Sequence, residues 1–240
     1  MSMQLATPPS VDWAEVNRGL ANASPREILR WAVETYHPRL TMATAFGPEG
    51  CVILHMLAEI EPKVRVFNLD TGYQFAETLQ LRDRIADRYG IEVEFVRAKE
   101  SVVAYESRNN GPIYAVDSDR CCHERKIVPL MDAVEGYDAW ISAIRADQSS
   151  HRSQAEVAGW DSKFNLAKIN PLLRWSKRDV WAFIVTHNVP YNPLHDQGYP
   201  SIGCWPCTRA VHQGDDERAG RWAGQAKTEC GLHSLDSSQL

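Results

Sequence analysis

The chain has 240 residues, of which 44% are hydrophobic and 24% are charged, and its formal net charge is −5. This composition excludes a disordered, collagen-like or coiled-coil chain, and the length fits one large α/β domain or at most two small ones. The weakly acidic balance argues against a protein that coats nucleic acid. The longest apolar stretches, such as residues 52–57, are too short to cross a bilayer. Residues 1–12 lack the basic and apolar segments of a signal peptide.

Alternating helix and strand signals follow one another along the chain. Ser24, Pro25 and Glu27 form a helix start with a capping box, which predicts a helix over 25–36. Downstream, strands are predicted at 40–45, 64–69, 91–96, 139–144 and 167–170, and helices at 51–60, 75–89 and 176–187. This rhythm predicts a parallel sheet with right-handed crossovers.

Three segments are distinguished by their patterns. Residues 1–23 form an N-terminal arm with one short helical piece, 24–208 form the main domain, and 209–240 form a C-terminal tail with little periodicity. Ligands of open parallel sheets bind beyond the carboxyl ends of the strands. The loops 44–50, 70–74 and 143–152 are therefore candidate ligand contacts. The first could bind a phosphate through backbone amides, although it lacks the Gly-Lys-Ser/Thr of a Walker loop.

Cysteines are the most informative residue type. Cys121 and Cys122 are adjacent, and Cys204 and Cys207 form a C-x-x-C pair. Four soft thiolates suit zinc or an iron–sulfur cluster, and an adjacent pair suits a 4Fe-4S cluster better because tandem side chains splay apart. There are two alternatives. The four cysteines could bind a zinc ion, or they could bind no metal and consist of two buried thiols near a thioredoxin-like redox pair. Without a secretory signal we expect a reducing, cytoplasmic location. Cys51 lies in an apolar helix and is predicted to pack in the core.

The tail carries one further cysteine, Cys230, in a Glu-Cys-Gly-Leu-His run. Lys227 and His233 lie near it in sequence and could lower its pKa, which would make it a nucleophile. The spacing alone favours a structural thiol. Several cations flank the other cysteines, namely Lys126, Arg209, Arg218 and Arg221. They could form an anion pocket or simply a solvated face.

Taken together, the motifs resemble those of the assimilatory adenylyl-sulfate reductases, the cluster-containing branch of the adenylyl-sulfate and phosphoadenylyl-sulfate reductase family. The resemblance covers roughly residues 25–235. Its motifs are C-C-x-x-R-K-x-x-P-L from Cys121, I-S-A-I-R-A-D-Q-S from Ile141, Y-P-S-I-G-C-x-x-C-T from Tyr199, and G-R-W-x-G-x-x-K-T-E-C-G-L-H from Gly220.

The resemblance implies an adenine nucleotide alpha hydrolase-like fold, related to the ATP pyrophosphatases. It also implies the thioredoxin-dependent reduction of adenylyl sulfate to sulfite and AMP, in sulfate assimilation and cysteine biosynthesis. In this family a thiolate at the position of Cys230 attacks the sulfur, and thioredoxin releases sulfite from the resulting S-sulfonate. The resemblance further implies a 4Fe-4S cluster on the four central cysteines, and family members are often homo-oligomers.

Position by position, the resemblance assigns substrate contacts. Those for the phosphosulfate are Lys126, Arg218, Arg221 and His233. Thr44 and the turn after it face the α-phosphate, and Arg152 contacts a phosphate. The adenosine is lined by Leu69, Asp70, Thr71, Gly72 and the backbone of Ala143. The sequence departs from the family in three places. Ala45 stands where serine is common, Ala143 where glycine is usual, and Tyr73-Gln74 where arginine is common. None of these departures affects the cysteines of the motifs.

Other functions are compatible with parts of the pattern. The substrate could be the 3′-phosphorylated nucleotide, phosphoadenylyl sulfate, or both nucleotides could be accepted. A redox- or nucleotide-sensing binding module would use the four cysteines but leave Cys230 without a purpose. A thiol-forming nucleotidyl transfer enzyme of the ATP pyrophosphatase type would require a Ser-Gly-Gly-x-Asp-Ser loop, which the sequence lacks.

Overall fold

The computed structural model describes residues 11–212, 214–225, 227 and 232. Its strands are β1 (Leu40–Ala43), β2 (Arg65–Asp70), β3 (Val93–Arg97), β4 (Ala139–Ile141), β5 (Ala158–Asp161) and β6 (Leu166–Ile169). They form one sheet in the order β3-β2-β1-β4-β6-β5. The predicted parallel sheet is confirmed for five strands, whereas β5 runs antiparallel to β6 at the edge.

The helices are α1 (Trp13–Gly19), α2 (Pro25–Tyr36), α3 (Pro48–Ile60), α4 (Ala76–Tyr89), α5 (Val102–Arg108), α6 (Ser118–Cys122), α7 (Val128–Val134) and α8 (Lys177–His187). The predicted capping box is present, since Ser24 and Glu27 satisfy each other's backbone amides. Gly90 ends α4 in the left-handed conformation with φ 65°, which glycine adopts without strain.

Three predicted boundaries were wrong by two or three residues at the ligand-facing edge of the sheet. The first strand ends at Ala43 rather than residue 45, and the next helix begins at Pro48 rather than residue 51. The chain turns sharply between them, with Phe46 at φ 55°. Proline at the first helical position of α3 explains the early start. Similarly, β4 ends at Ile141 rather than residue 144.

The sheet is covered on both faces, as the alternation of side chains along its strands requires. On one face, Leu40 and Met42 of β1 belong to the larger apolar cluster, with residues of α2, α3, α4 and α8. On the other face, Phe67 and Trp140 pack with residues of α7. Helices on both faces of a mostly parallel sheet are the expected α/β arrangement.

Part of the N-terminal arm is attached to the sheet edge. Asn17 of α1 donates to the Ala158 carbonyl at 2.7 Å and accepts from the Ala158 amide at 3.1 Å. The Asn17 side chain makes the two hydrogen bonds that the backbone of a neighbouring strand would make, so it covers this part of the sheet edge. Leu20 extends the contact into the main core. The division at residues 23 and 208 stays a prediction.

Within the described part of the chain, no helix combines the length and apolar character needed to traverse a lipid bilayer.

Cys51 is a core residue, as predicted, and its chemistry should reflect this. The side chain is fully buried in α3, and burial raises the pKa of its thiol to about 12. Because alkylation needs the thiolate, iodoacetamide at about pH 8 should leave Cys51 unmodified in the folded protein and modify it in guanidinium chloride. Peptide mass spectrometry measures both states, and equal labelling in the two would contradict the core assignment.

Candidate active site

A cleft opens at the carboxyl ends of the strands, where the strand order reverses between β1 and β4. This is the position at which open α/β sheets bind ligands. The cleft has an internal volume of about 220 Å³. Its walls come from the loops after β1, β2 and β4, from the helical segment that contains Lys126, and from residues 195–221.

The structure brings together most of the predicted substrate contacts that it describes. Eight residues line this one cleft: Thr44, Leu69, Thr71, Lys126, Ala143, Arg152, Arg218 and Arg221. Asp70 and Gly72 do not line it, and the Asp70 carboxylate instead accepts hydrogen bonds from the Gly72 amide and from Arg97 Nε. The eight lining residues come from segments that are distant in sequence, and the tertiary fold alone makes them neighbours. Their individual roles toward a substrate stay predictions. The remaining two predicted residues, Cys230 and His233, lie outside the described residues.

The loop after β1 is shaped around a threonine hydroxyl. Thr44 Oγ1 accepts a hydrogen bond from the Phe46 amide at 3.0 Å, and the Thr44 carbonyl accepts one from Asn68 Nδ2 at 2.8 Å. Gly50 lies directly beside this hydroxyl, since a Cβ there would approach Thr44 Oγ1 to 2.7 Å. The first turn of α3 lines the cleft, and its unpaired amides make this an electropositive helix end.

A buried arginine ties three parts of the cleft together. Arg145 is only 3% exposed and pairs with Glu49 of α3, with Asp147 at 2.8 Å and with Glu217 at 3.3 Å. Lys177 adds a second cation on Glu217 at 2.7 Å. The sequence analysis gave no role to Glu49 or Glu217, because an ion pair between distant positions leaves no local signal.

The first cysteine pair lies on a helical rod that the sequence analysis missed. α6 continues through one π-helical turn (His123–Ile127) directly into α7. Cys121 and Cys122 end α6, and Lys126 lies in the π turn. A π turn shifts the following side chains around the axis and is frequent at functional sites. Here it places Lys126 on the cleft wall.

Arg125, in the same π turn, anchors the rod to the sheet. It is buried, and its Nε donates to the Thr71 carbonyl at 2.6 Å. Its Nη1 donates to the Glu100 carbonyl at 3.2 Å. The guanidinium also lies 5.7 Å and 5.2 Å from the ring centroids of Tyr73 and Tyr105, a cation–π arrangement.

The second cysteine pair is attached to the same loop. Cys204 forms an isolated antiparallel bridge with Gln74, and the Trp205 amide donates to the Tyr73 carbonyl at 2.8 Å. The Thr71 hydroxyl is 3.2 Å from Cys204 Sγ. The loop after β2 therefore holds both cysteine pairs, one through Arg125 and the other through its own backbone.

The four central cysteines line one small cavity, here called the cysteine cavity, together with Tyr73, Tyr114 and Lys126. Burial raises the pKa of Cys121 to about 12, and the charges of Cys122, Cys204 and Cys207 act in the same direction. All five described cysteines are free thiols. The residues described include no group of three or more His, Cys, Asp or Glu side chains arranged to hold a metal ion as they stand.

The cysteine cavity and the cleft share a wall. Thr71, Lys126, Cys204 and Arg221 line both spaces. A charge placed in the cysteine cavity would therefore act on a ligand in the cleft across a single layer of side chains.

Cations gather around Trp222, a residue to which the sequence analysis gave no role. The guanidinium carbons of Arg221 and Arg218 lie 4.4 Å and 5.8 Å from its ring centroid, and Lys227 Nζ lies 5.2 Å away. Arg221 also packs on Gly203, where a Cβ would approach its Nη2 to 2.3 Å. Glycine at position 203 therefore gives the guanidinium its place in the cleft wall.

His195 also lines the cleft and was not predicted. Burial lowers the pKa of its imidazole, so the ring is neutral near pH 7. Its Nε2 is buried with no hydrogen-bond partner among the described residues. An isolated histidine carries no motif, and only the fold reveals its place.

Comparison with known proteins agrees with this geometry. Residues 39–210 match the model of the phosphoadenosine phosphosulfate reductase domain. An adenosine 5′-phosphosulfate reductase of Shouchella clausii is 41% identical, with 94% of each chain covered. A phosphoadenosine 5′-phosphosulfate reductase of Gloeobacter violaceus is 44% identical, with 88% of this chain and 89% of the relative covered.

Solved structures show the same fold. The phosphate complex of phosphoadenylyl-sulfate reductase from Candida auris has a TM-score of 0.75 at 31% identity, covering 85% of this chain and all of the other. An ATP complex of FMN adenylyltransferase from Candida glabrata has a TM-score of 0.58 at 15% identity, covering 94% and 78% of the two chains. The latter similarity concerns the fold alone.

The predicted fold class, an α/β domain of the adenine nucleotide alpha hydrolase type, is thereby confirmed. The matched segment runs from the residue before β1 through both cysteine pairs, and the relatives are matched over nearly their full lengths. The chain therefore belongs to the phosphoadenosine phosphosulfate reductase domain family.

Proposed function

We propose that this chain is an oxidoreductase that reduces adenylyl sulfate to sulfite and AMP, within sulfate assimilation toward cysteine biosynthesis. The observation that carries the proposal is the cleft at the strand-order reversal, whose wall is shared with the cysteine cavity. Relatives at 41% and 43% identity, from Shouchella clausii and Bacillus subtilis, are named adenosine 5′-phosphosulfate reductases.

The cleft supplies contacts for each part of this nucleotide. Leu69 and Ala143, at the ends of β2 and β4, border the adenosine. Thr44 and the first turn of α3 receive the α-phosphate through a hydroxyl and backbone amides. Lys126 and Arg221 meet the phosphosulfate from the wall shared with the cysteine cavity, where charge-assisted hydrogen bonds are strongest. Arg152, Arg218 and His233 complete the predicted set.

Cys230 is the proposed nucleophile. Its thiolate attacks the sulfur of the sulfate group, and the bond from sulfur to the phosphate oxygen breaks with its electron pair leaving on AMP. The cysteine then carries an S-sulfonate. Lys126 and Arg221 would offset the charge that develops on the departing phosphate. The tail bearing Cys230 follows Trp222, the residue around which the cations of the cleft gather.

A protein dithiol completes the turnover, and thioredoxin is the donor that the family resemblance implies. One donor thiolate attacks Cys230 Sγ and displaces sulfite, which leaves a mixed disulfide. The second donor thiol then attacks its own partner sulfur and regenerates the Cys230 thiol. The two electrons that reduce the substrate sulfur come from the dithiol, which ends as a disulfide. The free thiols of the described cysteines suit a reducing, cytoplasmic compartment.

Cys121, Cys122, Cys204 and Cys207 are proposed to hold a 4Fe-4S cluster. These four thiols line one cavity, where burial and, after it, the neighbouring cysteines raise the pKa of Cys121; bound iron would offset both effects. When bound, the cluster supplies a fixed charge beside Lys126 and joins the two cysteine loops. The reacting groups remain those of the chain and the dithiol. Assembly into homo-oligomers stays a prediction.

A second candidate substrate is phosphoadenylyl sulfate. The Gloeobacter violaceus relative, at 44% identity, is named for that substrate. The ratio of the two kcat/KM values decides between the nucleotides. We expect a higher kcat/KM for adenylyl sulfate. A protein that does not reduce adenylyl sulfate would contradict its assignment as the substrate.

Mass spectrometry tests the proposed chemistry directly. Protein mixed with adenylyl sulfate and no reductant should gain one SO₃ group on the peptide that contains Cys230, because the adduct cannot be released without a thiol. Cys230→Ser should gain nothing, and Cys51→Ala, which alters a thiol that is fully buried in the core, should react like the unchanged protein. An SO₃ gain on Cys230→Ser would contradict the mechanism.

Iron analysis tests the cluster. Anaerobically purified protein should contain about four irons per chain and absorb visible light as 4Fe-4S proteins do. Cys207→Ser should lose most of the iron, whereas Cys51→Ala should retain it. A colourless protein with one zinc per chain would show that the four thiols hold a different metal.

Gly203→Ala tests the position of Arg221. The added methyl group would occupy the place of the guanidinium, so one charge-assisted hydrogen bond to the substrate should be lost. Such a bond contributes roughly 1.5–3 kcal/mol, and we expect the KM for adenylyl sulfate to rise at least about tenfold.

Gly19→Ala is the control, because a Cβ at Gly19 meets no atom within 4 Å. Iron content is measured in parallel, since Gly203 precedes Cys204. An unchanged KM in Gly203→Ala would show that Arg221 does not bind the substrate.

A further inference from the structure

A small apolar surface lies on the outer side of the cysteine cavity and takes no part in the chemistry described above. Val116 is 83% exposed and Trp205 is 51% exposed. The ring of Tyr114 contacts that of Trp205 with centroids 6.1 Å apart, and Val116 ends the same 3-10 turn two positions after Tyr114. We call these three residues the Trp205 surface. Exposed apolar residues that cluster together mark contact sites more often than scattered ones do.

The surface is held rigidly. Tyr73, which is 4% exposed, packs edge-on against Tyr114 with ring centroids 5.0 Å apart. The Trp205 backbone is fixed by its hydrogen bond to the Tyr73 carbonyl at 2.8 Å. The three rings thus form a chain of edge-to-face contacts that runs from the buried Tyr73 to the exposed indole of Trp205. A pre-organised tryptophan loses little conformational freedom on contact, which favours binding.

The tail passes beside this surface. Lys227 Nζ donates to the Ser118 carbonyl at 2.9 Å and pairs with Asp119 at 2.8 Å. Gln225 accepts a hydrogen bond from the Ser118 hydroxyl at 2.6 Å. Ser118 lies only two positions after Val116. The last contacts that the structure describes before Cys230 are therefore made next to the Trp205 surface.

Covalent geometry limits how far Cys230 can be from this point. Cys230 lies three positions after Lys227, and an extended chain spans at most about 3.6 Å per residue, so covalent geometry limits the distance between the two Cα atoms to roughly 11 Å. A protein that contacts Val116 would lie two positions in sequence from Ser118, to which Gln225 and Lys227 of the tail bind.

We propose that the Trp205 surface is the docking site of the protein dithiol that releases sulfite from Cys230. This inference rests on the function proposed above, in which a donor thiolate must reach Cys230 Sγ in line with the departing sulfite. An apolar contact beside that sulfur would orient the donor and limit water at the reacting atoms. The surface is small, as expected for an enzyme that must release the oxidised donor after each turnover.

The test separates sulfite release by a protein from release by a small thiol. The S-sulfonated chain is prepared with adenylyl sulfate, and sulfite release is timed with reduced thioredoxin or with dithiothreitol. Val116→Glu would replace an exposed apolar side chain of the Trp205 surface by a charged one. The second-order rate constant with thioredoxin should fall at least about tenfold, the range of a disrupted interface hot spot, whereas the rate with dithiothreitol should not change.

Val185→Glu is the matched control, because Val185 is 77% exposed on α8, outside the cysteine loops. Its rates with both reductants should equal those of the unchanged chain. Trp205→Leu is the second variant, with iron content measured alongside because Trp205 lies between two of the cysteines. It should reduce the thioredoxin rate while retaining iron.

Several results would overturn the proposal. Unchanged thioredoxin kinetics in Val116→Glu would place the donor elsewhere. An equal loss with dithiothreitol would mean that the substitution disturbs the tail rather than docking. Dissociation of a dimer by Val116→Glu, measured by sedimentation, would assign the surface to a second copy of the chain. A failure to form any S-sulfonate in the unchanged chain would instead refute the proposed function itself.

Discussion

The hydrogen bonds of Arg125 are the interaction on which the site depends. A buried guanidinium must find partners for its donors, and Arg125 finds them on the carbonyls of Thr71 and Glu100 and on the faces of two tyrosine rings. It thereby joins the helical rod of Cys121 and Cys122 to the loop after β2. The same loop binds the backbone around Cys204, so both cysteine pairs have their positions set by one short segment.

This arrangement places two spaces with different chemistry side by side. The sheet and its loops form the cleft, which opens where the strand order reverses. The cysteine cavity belongs to the helical rod and to the loop that contains Cys204 and Cys207. Lys126 and Arg221 lie in the wall between them. Positive charge in this wall can act on a ligand on one side and on thiolates on the other, in surroundings where the low dielectric strengthens both interactions.

The charges of the cleft are arranged unevenly although the chain as a whole is weakly acidic. Around Arg145, three carboxylates surround one buried guanidinium, which fixes the relative positions of α3, the loop after β4 and the segment that contains Glu217. Around Trp222, by contrast, three cations share one aromatic ring. The first group stabilises the fold of the cleft. The second places positive charge beside the tail that carries the proposed nucleophile.

The sequence by itself determined the parallel sheet, most of its strands and helices, and the cysteine and tail motifs, because these depend on local periodicity, capping residues and short spacings. It missed β5, α5 and the helical rod, whose stability comes from packing and ion pairs rather than from a clean pattern. Arg125, for instance, lies in a π turn that no spacing in the sequence indicates. Only the tertiary structure decided that Lys126, Arg152 and Arg221 face one cleft. It alone revealed Glu49, Glu217 and His195 there, because contacts between distant segments arise from the crossovers of the sheet and leave no trace in neighbouring residues.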